Sequence, residues 1–272
     1  MKLVKNYFIV ALLFFSIGFS ITISKVKALD YSELNLDPGE EVVAETTKYY
    51  KTVTVVNNSK MMMEADLGTV SSFTTEVTKE EFDNAPTDAE KENGISTQDV
   101  FENYGTETAY KRLTSIISKY GSRYFRYRAI LEWKNMPKTR SYDIIGVGFY
   151  ASVKIASTID LYNEYCREDG TCANADGYYI YNGLNGGAAV FHLPSGDITS
   201  LKQTLLVEVE KTDPDSTIIE QICVADYSHA TKTISYNNAK KFKVDTGGIT
   251  LNGIGSYYDT MSTATSYWEG RW

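Results

Sequence analysis

Apolar and polar residues alternate with a period of two over much of this chain, most clearly between positions 123 and 133. There Phe125, Tyr127, Ala129, Leu131 and Trp133 fall on one side, and Tyr124, Arg126, Arg128, Ile130 and Glu132 on the other. Successive side chains of a strand point to opposite faces, so the pattern predicts a half-buried strand with aromatics inward and arginines outward. Residues 106–117 read as a less regular strand joined to it through Tyr120-Gly121-Ser122, as a hairpin. Residues 143–150 form an apolar run broken by Gly146 and Gly148, the signature of a covered strand that another backbone approaches closely. Leu205, Val207 and Val209 alternate with Thr204, Glu208 and Glu210, and further strands are expected at 218–224 and 241–251.

The first part of the chain is more polar. Tyr49, Val53 and Val55 begin an alternating strand that Asn57-Asn58-Ser59 ends. Residues 67–77 alternate again, with Leu67, Phe73 and Val77 opposite Ser72, Thr74 and Glu76. Thr78 with Glu81 then forms a capping box for one helical turn ending near Asn84. These elements predict an all-β protein, an antiparallel two-sheet sandwich of jelly-roll-like form with a polar N-terminal arm. The expected divisions are a signal peptide at 1–28, an arm or small strand pair at 29–82, an acidic linker or loop at 83–104 and the sandwich at 105–272.

The signal peptide rests on Lys2 and Lys5, the apolar run at 7–23 and the neck closing in Val26-Lys27-Ala28, with cleavage after Ala28. The alternative is an uncleaved anchor, which the short run and its Ser16, Gly18, Ser20 and Thr22 disfavour. The net charge is −8, and loss of the lysine-bearing leader makes the remainder more acidic still. That composition argues against nucleic-acid binding. No stable membrane span is expected after cleavage, and the location is secreted or cell-wall associated.

Charge is distributed in blocks. Eight acids stand between Glu80 and Glu102 against Lys91 alone, and nine bases between Lys111 and Arg140 against Glu132 alone. If the hairpin sets Lys111 and Arg112 beside Arg126 and Arg128, four cations share one sheet face. Guanidinium forks suit phosphate and other oxyanions. The competing reading folds the acidic segment back over this face and neutralises it.

The run Trp133-Lys134-Asn135-Met136-Pro137-Lys138-Thr139-Arg140-Ser141-Tyr142-Asp143-Ile144-Ile145-Gly146, the segment Ala225-Asp226-Tyr227-Ser228-His229-Ala230-Thr231 and the Tyr-, Ser- and Trp-rich ending resemble secreted, functionally uncharacterised β-rich proteins of Gram-positive bacteria. The resemblance covers roughly residues 105–272 and implies export and a β-rich C-terminal domain, with no activity or site residue attached.

Cys166 and Cys172 bracket Arg167-Glu168-Asp169-Gly170-Thr171, and the Asp-Gly turn brings the two sulfurs opposite each other, where export permits a disulfide. Cys223, among Ile222, Val224 and Ala225, reads as a buried thiol. A Cys–His hydrolase would need a thiolate against His192 or His229, and no local signature supports one. His192 reads as a structural histidine at a strand end and His229 as the more exposed of the two. Asn174-Ala175-Asp176-Gly177 reads as an ordinary turn rather than a calcium loop, and no metal or cofactor is expected. Trp268 and Trp272 are candidates for stacking on a surface glycan, or else for docking on the core.

Together these features predict a non-enzymatic exported protein that binds an anionic envelope polymer or surface glycan through Arg126, Arg128, Arg112 and Lys111. A wall-glycan hydrolase with carboxylates not identifiable in sequence is the alternative. A membrane-inserting toxin, with 67–77 lining a barrel, is a third reading.

Overall fold

Two antiparallel sheets pack face to face, as the alternation predicts. The computed structural model describes residues 34, 36–56, 70–87, 105–175, 178–259 and 261–272. The leader at 1–28 and the part of the acidic connector at 88–104 lie outside the described residues, as do Asp176 and Gly177 of the calcium-like turn.

The sandwich lies within Gly39–Trp272. Its strands are β1 (Glu40–Val56), β2 (Val70–Val77), β3 (Gly105–Tyr120), β4 (Tyr124–Trp133), β5 (Tyr142–Gly148), β6 (Val153–Arg167), β7 (Cys172–Asn174), β8 (Tyr179–Asn182), β9 (Gly186–His192), β10 (Ile198–Lys211), β11 (Glu220–Ser228), β12 (Phe242–Asp245), β13 (Gly248–Leu251) and β14 (Ala264–Glu269). Two short helices, α1 (Lys79–Asn84) and α2 (Tyr236–Ala239), complete the described elements with a 3-10 turn at Gly255–Tyr257. The larger sheet runs β2-β1-β3-β4-β10-β6-β7, the smaller β14-β11-β5-β9-β8, and β12-β13 form a separate hairpin.

The expected hairpin is β3–β4, in register from Tyr120 opposite Tyr124 to Lys111 opposite Trp133. On its inner face Leu113, Ile117, Phe125, Tyr127, Ala129 and Leu131 meet Ile145, Val147, Phe191, Ala225 and Tyr227 of the smaller sheet. These positions are essentially closed to solvent. Burying each of the larger aliphatic side chains stabilises by about 1.5–3 kcal/mol, which makes this interface the source of cohesion between the sheets.

A second apolar layer lies on the other side of the smaller sheet, where Ile144, Val190, Phe242, Val244, Ile254 and Tyr258 cluster beneath the β12–β13 hairpin. The glycines of β5 admit that hairpin. A Cβ at Gly148 would stand 2.1 Å from the carbonyl oxygen of Asp245, and one at Gly146 2.9 Å from Ile249.

The strand pair expected ahead of the sandwich lies in the larger sheet itself, with β1 paired along its length to β3 and on its other side to β2. Thr78 caps α1 as expected, accepting from the Glu81 amide at 3.1 Å. The face of β2 that turns toward the protein is the polar one. Phe73 is 62% exposed, while Thr74 pairs with Thr52 at 2.8 Å and Ser72 with Thr54 at 2.9 Å.

Cys166 and Cys172 are directly opposed on β6 and β7 and joined by a disulfide. The turn between them uses Gly170 at φ +79°, with Asp169 accepting from the Thr171 amide.

Candidate functional site

The four cations proposed from sequence do not share an open face. Arg112, Arg126 and Arg128 project from one face of β3–β4. Lys111 projects from the opposite face, with Leu113 and Ile117, into the interior between the sheets. Lys111 is fully buried and Arg128 is 3% exposed, so neither reaches a dissolved polymer while the protein is folded.

Each cation also has a carboxylate. Glu40, at the start of β1, accepts from both terminal nitrogens of Arg128, one at 2.9 Å, and from Arg126 at 2.9 Å. Arg126 also bonds Glu208 on β10 at 3.0 Å, and its guanidinium lies 3.6 Å from the Tyr120 ring centroid. Arg112 pairs with Glu132, its cross-strand neighbour. Lys111 pairs with Asp259 at 2.6 Å. Neutralisation therefore occurs, through residues of β1, β4, β10 and the segment before β14, while most of the acidic block at 80–102 lies outside the described residues. Burial alone would raise the Glu40 carboxyl. The Arg128, Ser118 and Arg126 hydrogen bonds overturn this and hold it at about 2.

The histidines and the free cysteine are structural neighbours of other groups. Cys223 is buried, its thiol pushed up to about 12 by desolvation, and its Sγ approaches the Arg128 carbonyl at 3.8 Å. His192 bonds the Leu193 carbonyl through Nδ1 and packs edge-on against Tyr142. His229, expected to be the more exposed of the two, is 3% exposed because Trp133 packs edge-on against it and Asp143 bonds its Nδ1. The Asp143 carboxylate takes Nδ1 of His229 at 3.0 Å, the Ala230 amide at 2.8 Å and the Tyr227 hydroxyl. Asp226, buried beside Gly248, accepts from the Tyr227 and Ile249 amides, yet desolvation pushes its carboxyl up to about 6. Among the described residues, no cluster of three or more His, Cys, Asp or Glu side chains is arranged to hold a metal ion.

The accessible cations lie elsewhere. At the β3–β4 turn end of the sandwich, a groove of about 430 Å³ is lined by Arg123, Lys154, Glu210, Lys211 and Trp272 among others. The Arg123 side chain is 70% exposed and that of Lys154 52%. Glu210 accepts from Arg123 at 2.9 Å and lies 3.5 Å from Lys154. The Lys211 ammonium bonds the Ser216 carbonyl and sits 5.6 Å from the Trp272 ring centroid. Two cations thus flank one carboxylate, and Lys211 lines the groove beside an indole in its wall. Trp272 is fixed by its edge-to-face contact with Phe125 at 4.5 Å and by donation from Nε1 to the Ser122 carbonyl at 3.3 Å. Trp268, the other tryptophan proposed for stacking, is docked on the core. The sequence signal for this groove was available in Arg123 and Trp272. What joined them to Lys154 and Lys211 was strand order.

No family model matches the sequence, and no curated protein matches it. Among solved structures, the chain is similar to the full-length major pilin SpaD of Corynebacterium diphtheriae, at 9% identity over 68% of this chain and 55% of that one, with a TM-score of 0.28. It is also similar to the N-terminal domain of the Streptococcus gordonii adhesin Sgo0707, at 12% identity over 71% of this chain and 54% of that one, with a TM-score of 0.27. The chain spans about half the length of these two structures. Likenesses this loose establish neither kinship nor function. Among the described residues, no helix is long and apolar enough to cross a membrane.

Proposed function

We propose that this protein is exported and works as a non-enzymatic binder of an anionic envelope polymer, with the groove at the β3–β4 turn as its contact surface. The reading is supported by one observation: Arg123 and Lys154 meet at Glu210 in a groove that Lys211 and the Trp272 indole also line. Phosphate or carboxylate groups repeated along a chain would meet the exposed guanidinium and ammonium groups, and a sugar ring would lie against the indole. Lys111 and Arg128 have no part in this contact, and Arg112 and Arg126 hold carboxylates instead. The export half of the reading rests on the leader at 1–28.

The test is retention of the purified chain on isolated Gram-positive cell walls across a salt series. Salt-released binding that falls at least tenfold in Arg123→Glu/Lys154→Glu is the expected result, since exposed charge contacts are screened. Retention unchanged in that double variant would overturn the assignment of the groove.

A further inference from the structure

Lys111 and Asp259 are separated by 148 residues yet meet in the interior, Nζ to Oδ2 at 2.6 Å, with both side chains wholly shielded from solvent. Lys111 comes from β3 of the larger sheet and Asp259 from the segment leading into β14 of the smaller one. Around the ammonium stand two rings, Trp133 with its centroid 4.7 Å from Nζ and Tyr227 at 5.2 Å. The carboxylate is held on both sides. Its Oδ1 accepts the His229 amide at 2.8 Å, and its Oδ2 accepts the Thr74 hydroxyl at 2.8 Å as well as Lys111. The backbone is fixed in turn, because the Asp259 amide donates to the His229 carbonyl at 2.9 Å.

As an ion pair this arrangement is poorly satisfied. An ammonium has three N–H donors, and among the described residues only Asp259 accepts one from Lys111, the remaining sides being occupied by aromatic rings. Buried charge is expensive where hydrogen bonds do not complete it. The contrast is Glu40, whose two oxygens are both taken by guanidinium donors.

As a reactive pair it is well arranged. Transfer of one proton from Nζ to the carboxylate along their hydrogen bond cancels both buried charges and gives a neutral amine beside a neutral carboxylic acid. The amine nitrogen is then a nucleophile held against a carboxyl carbon it cannot leave, which replaces a bimolecular encounter by a fixed one. The His229 amide, already on Oδ1, is placed to stabilise the negative oxygen that develops when nitrogen adds to carbon. The Thr74 hydroxyl sits on Oδ2, the oxygen that must depart.

We propose that Lys111 and Asp259 condense spontaneously to an isopeptide cross-link. The Nζ–Cγ bond forms and the Cγ–Oδ2 bond breaks. Two of the three ammonium hydrogens end on Oδ2, which leaves as water, and the third remains as the amide N–H. Charges cancel and no oxidant, reductant or outside reactant is required. The product is neutral, leaves a single N–H where three stood, and ties the two sheets together covalently. Asp143 acts here as a positioning residue: it grips the His229 ring and the Ala230 amide, and so fixes the His229 N–H that faces Asp259.

The experiment is mass analysis of the purified full chain after reduction of its disulfide, followed by proteolytic digestion. Expected are an intact mass one water below that of the sequence and a branched peptide joining the segments that carry Lys111 and Asp259. Lys111→Arg should restore the full mass, and Asp259→Asn should give the same branched peptide by loss of ammonia. Recovery of the Lys111 and Asp259 segments of the wild-type chain as separate, unmodified peptides would overturn the proposal. So would a Lys111→Arg chain that is still one water light, because the loss would then lie elsewhere.

Discussion

Arg128 and Glu40 lie face to face as a two-pronged pair, with the Arg128 side chain 3% exposed and that of Glu40 fully enclosed. Glu40 also receives Arg126 and the Ser118 hydroxyl, so one carboxylate at the first residue of β1 organises the outer face of β3 and β4. A residue in the polar opening of the chain thereby neutralises the strand whose arginines look most available in sequence.

Glu40→Gln should therefore be strongly destabilising. Removing the carboxylate leaves the buried Arg128 guanidinium without its counter-charge, while Arg126 keeps Glu208, a change that costs about 3–5 kcal/mol. Its pH dependence has a definite sign. The folded carboxyl sits at about 2 against an ordinary 4.5, so the stabilisation is complete above about pH 4.5 and is lost as pH falls toward 2. Urea unfolding should show a gap between wild type and variant that is wide at pH 6 and shrinks by several kcal/mol toward pH 2; a gap independent of pH would contradict the pairing.

Asp226 should behave in the opposite sense. Its carboxyl is raised from 3.8 to about 6 by burial, so it is protonated more readily folded than unfolded, and its charge weakens the fold increasingly as pH rises from about 4 to 6. Full ionisation amounts to about 3 kcal/mol of lost stability. A carboxyl resonance of Asp226 titrating with a midpoint near 6 is the expected measurement, and an ordinary midpoint near 4 would refute it.

Gly148→Ala should detach the β12–β13 hairpin. The new methyl would fall 2.1 Å from the Asp245 carbonyl oxygen, backbone that has no room to yield. Overpacking of this kind costs about 1–3 kcal/mol or more. Gly146→Ala meets the flexible Ile249 side chain at 2.9 Å, with Ala188 at an ordinary 3.5 Å, and should cost less. Hydrogen exchange at residues 242–251 would register both, and equal effects would contradict this account.

Cys166→Ser/Cys172→Ser should lower stability by only about 2 kcal/mol, because the closed loop is short. Increased exchange should be confined to β7 and the end of β6, since β7 is an exposed edge strand paired to β6 alone. Loss of the whole sandwich on reduction would show that the bond carries more than this edge.

Trp272→Ala should weaken cell-wall retention and also cost about 1–2 kcal/mol, because the indole packs on Phe125 as well as lining the groove. Tryptophan fluorescence on adding soluble wall polymer separates the two effects: quenching in the wild type that Trp272→Ala removes locates the ligand there.

The alternating strands β4 and β10 were legible because each has one face on a core. The close approach at Gly146 and Gly148 was legible for the same reason: an apolar strand interrupted by glycine leaves space that something fills. β6 escaped notice because its alternation is interrupted at Ala156-Ser157-Thr158, where the register against β10 shifts between Val207 and Val209. The sidedness of β2 was not legible, because hydroxyl pairs, not Phe73, face the protein. Lys111 is the most instructive case. It stands in phase with Leu113 and Ile117, so alternation already assigned it to the interior, whereas its charge suggested the surface. Its partner Asp259 carries no signal of its own, because only the fold brings a residue 148 positions away beside it.

The distance along the chain between those two residues also sets an order of events. β1 must wait for β3 to be synthesised before it has a partner on that side, and no inter-sheet bond at position 259 can close until the chain has emerged past that residue. Pairings so remote in sequence make for slow assembly. The cross-link would then follow the pairing of both sheets, a latch that records whether they have found their places.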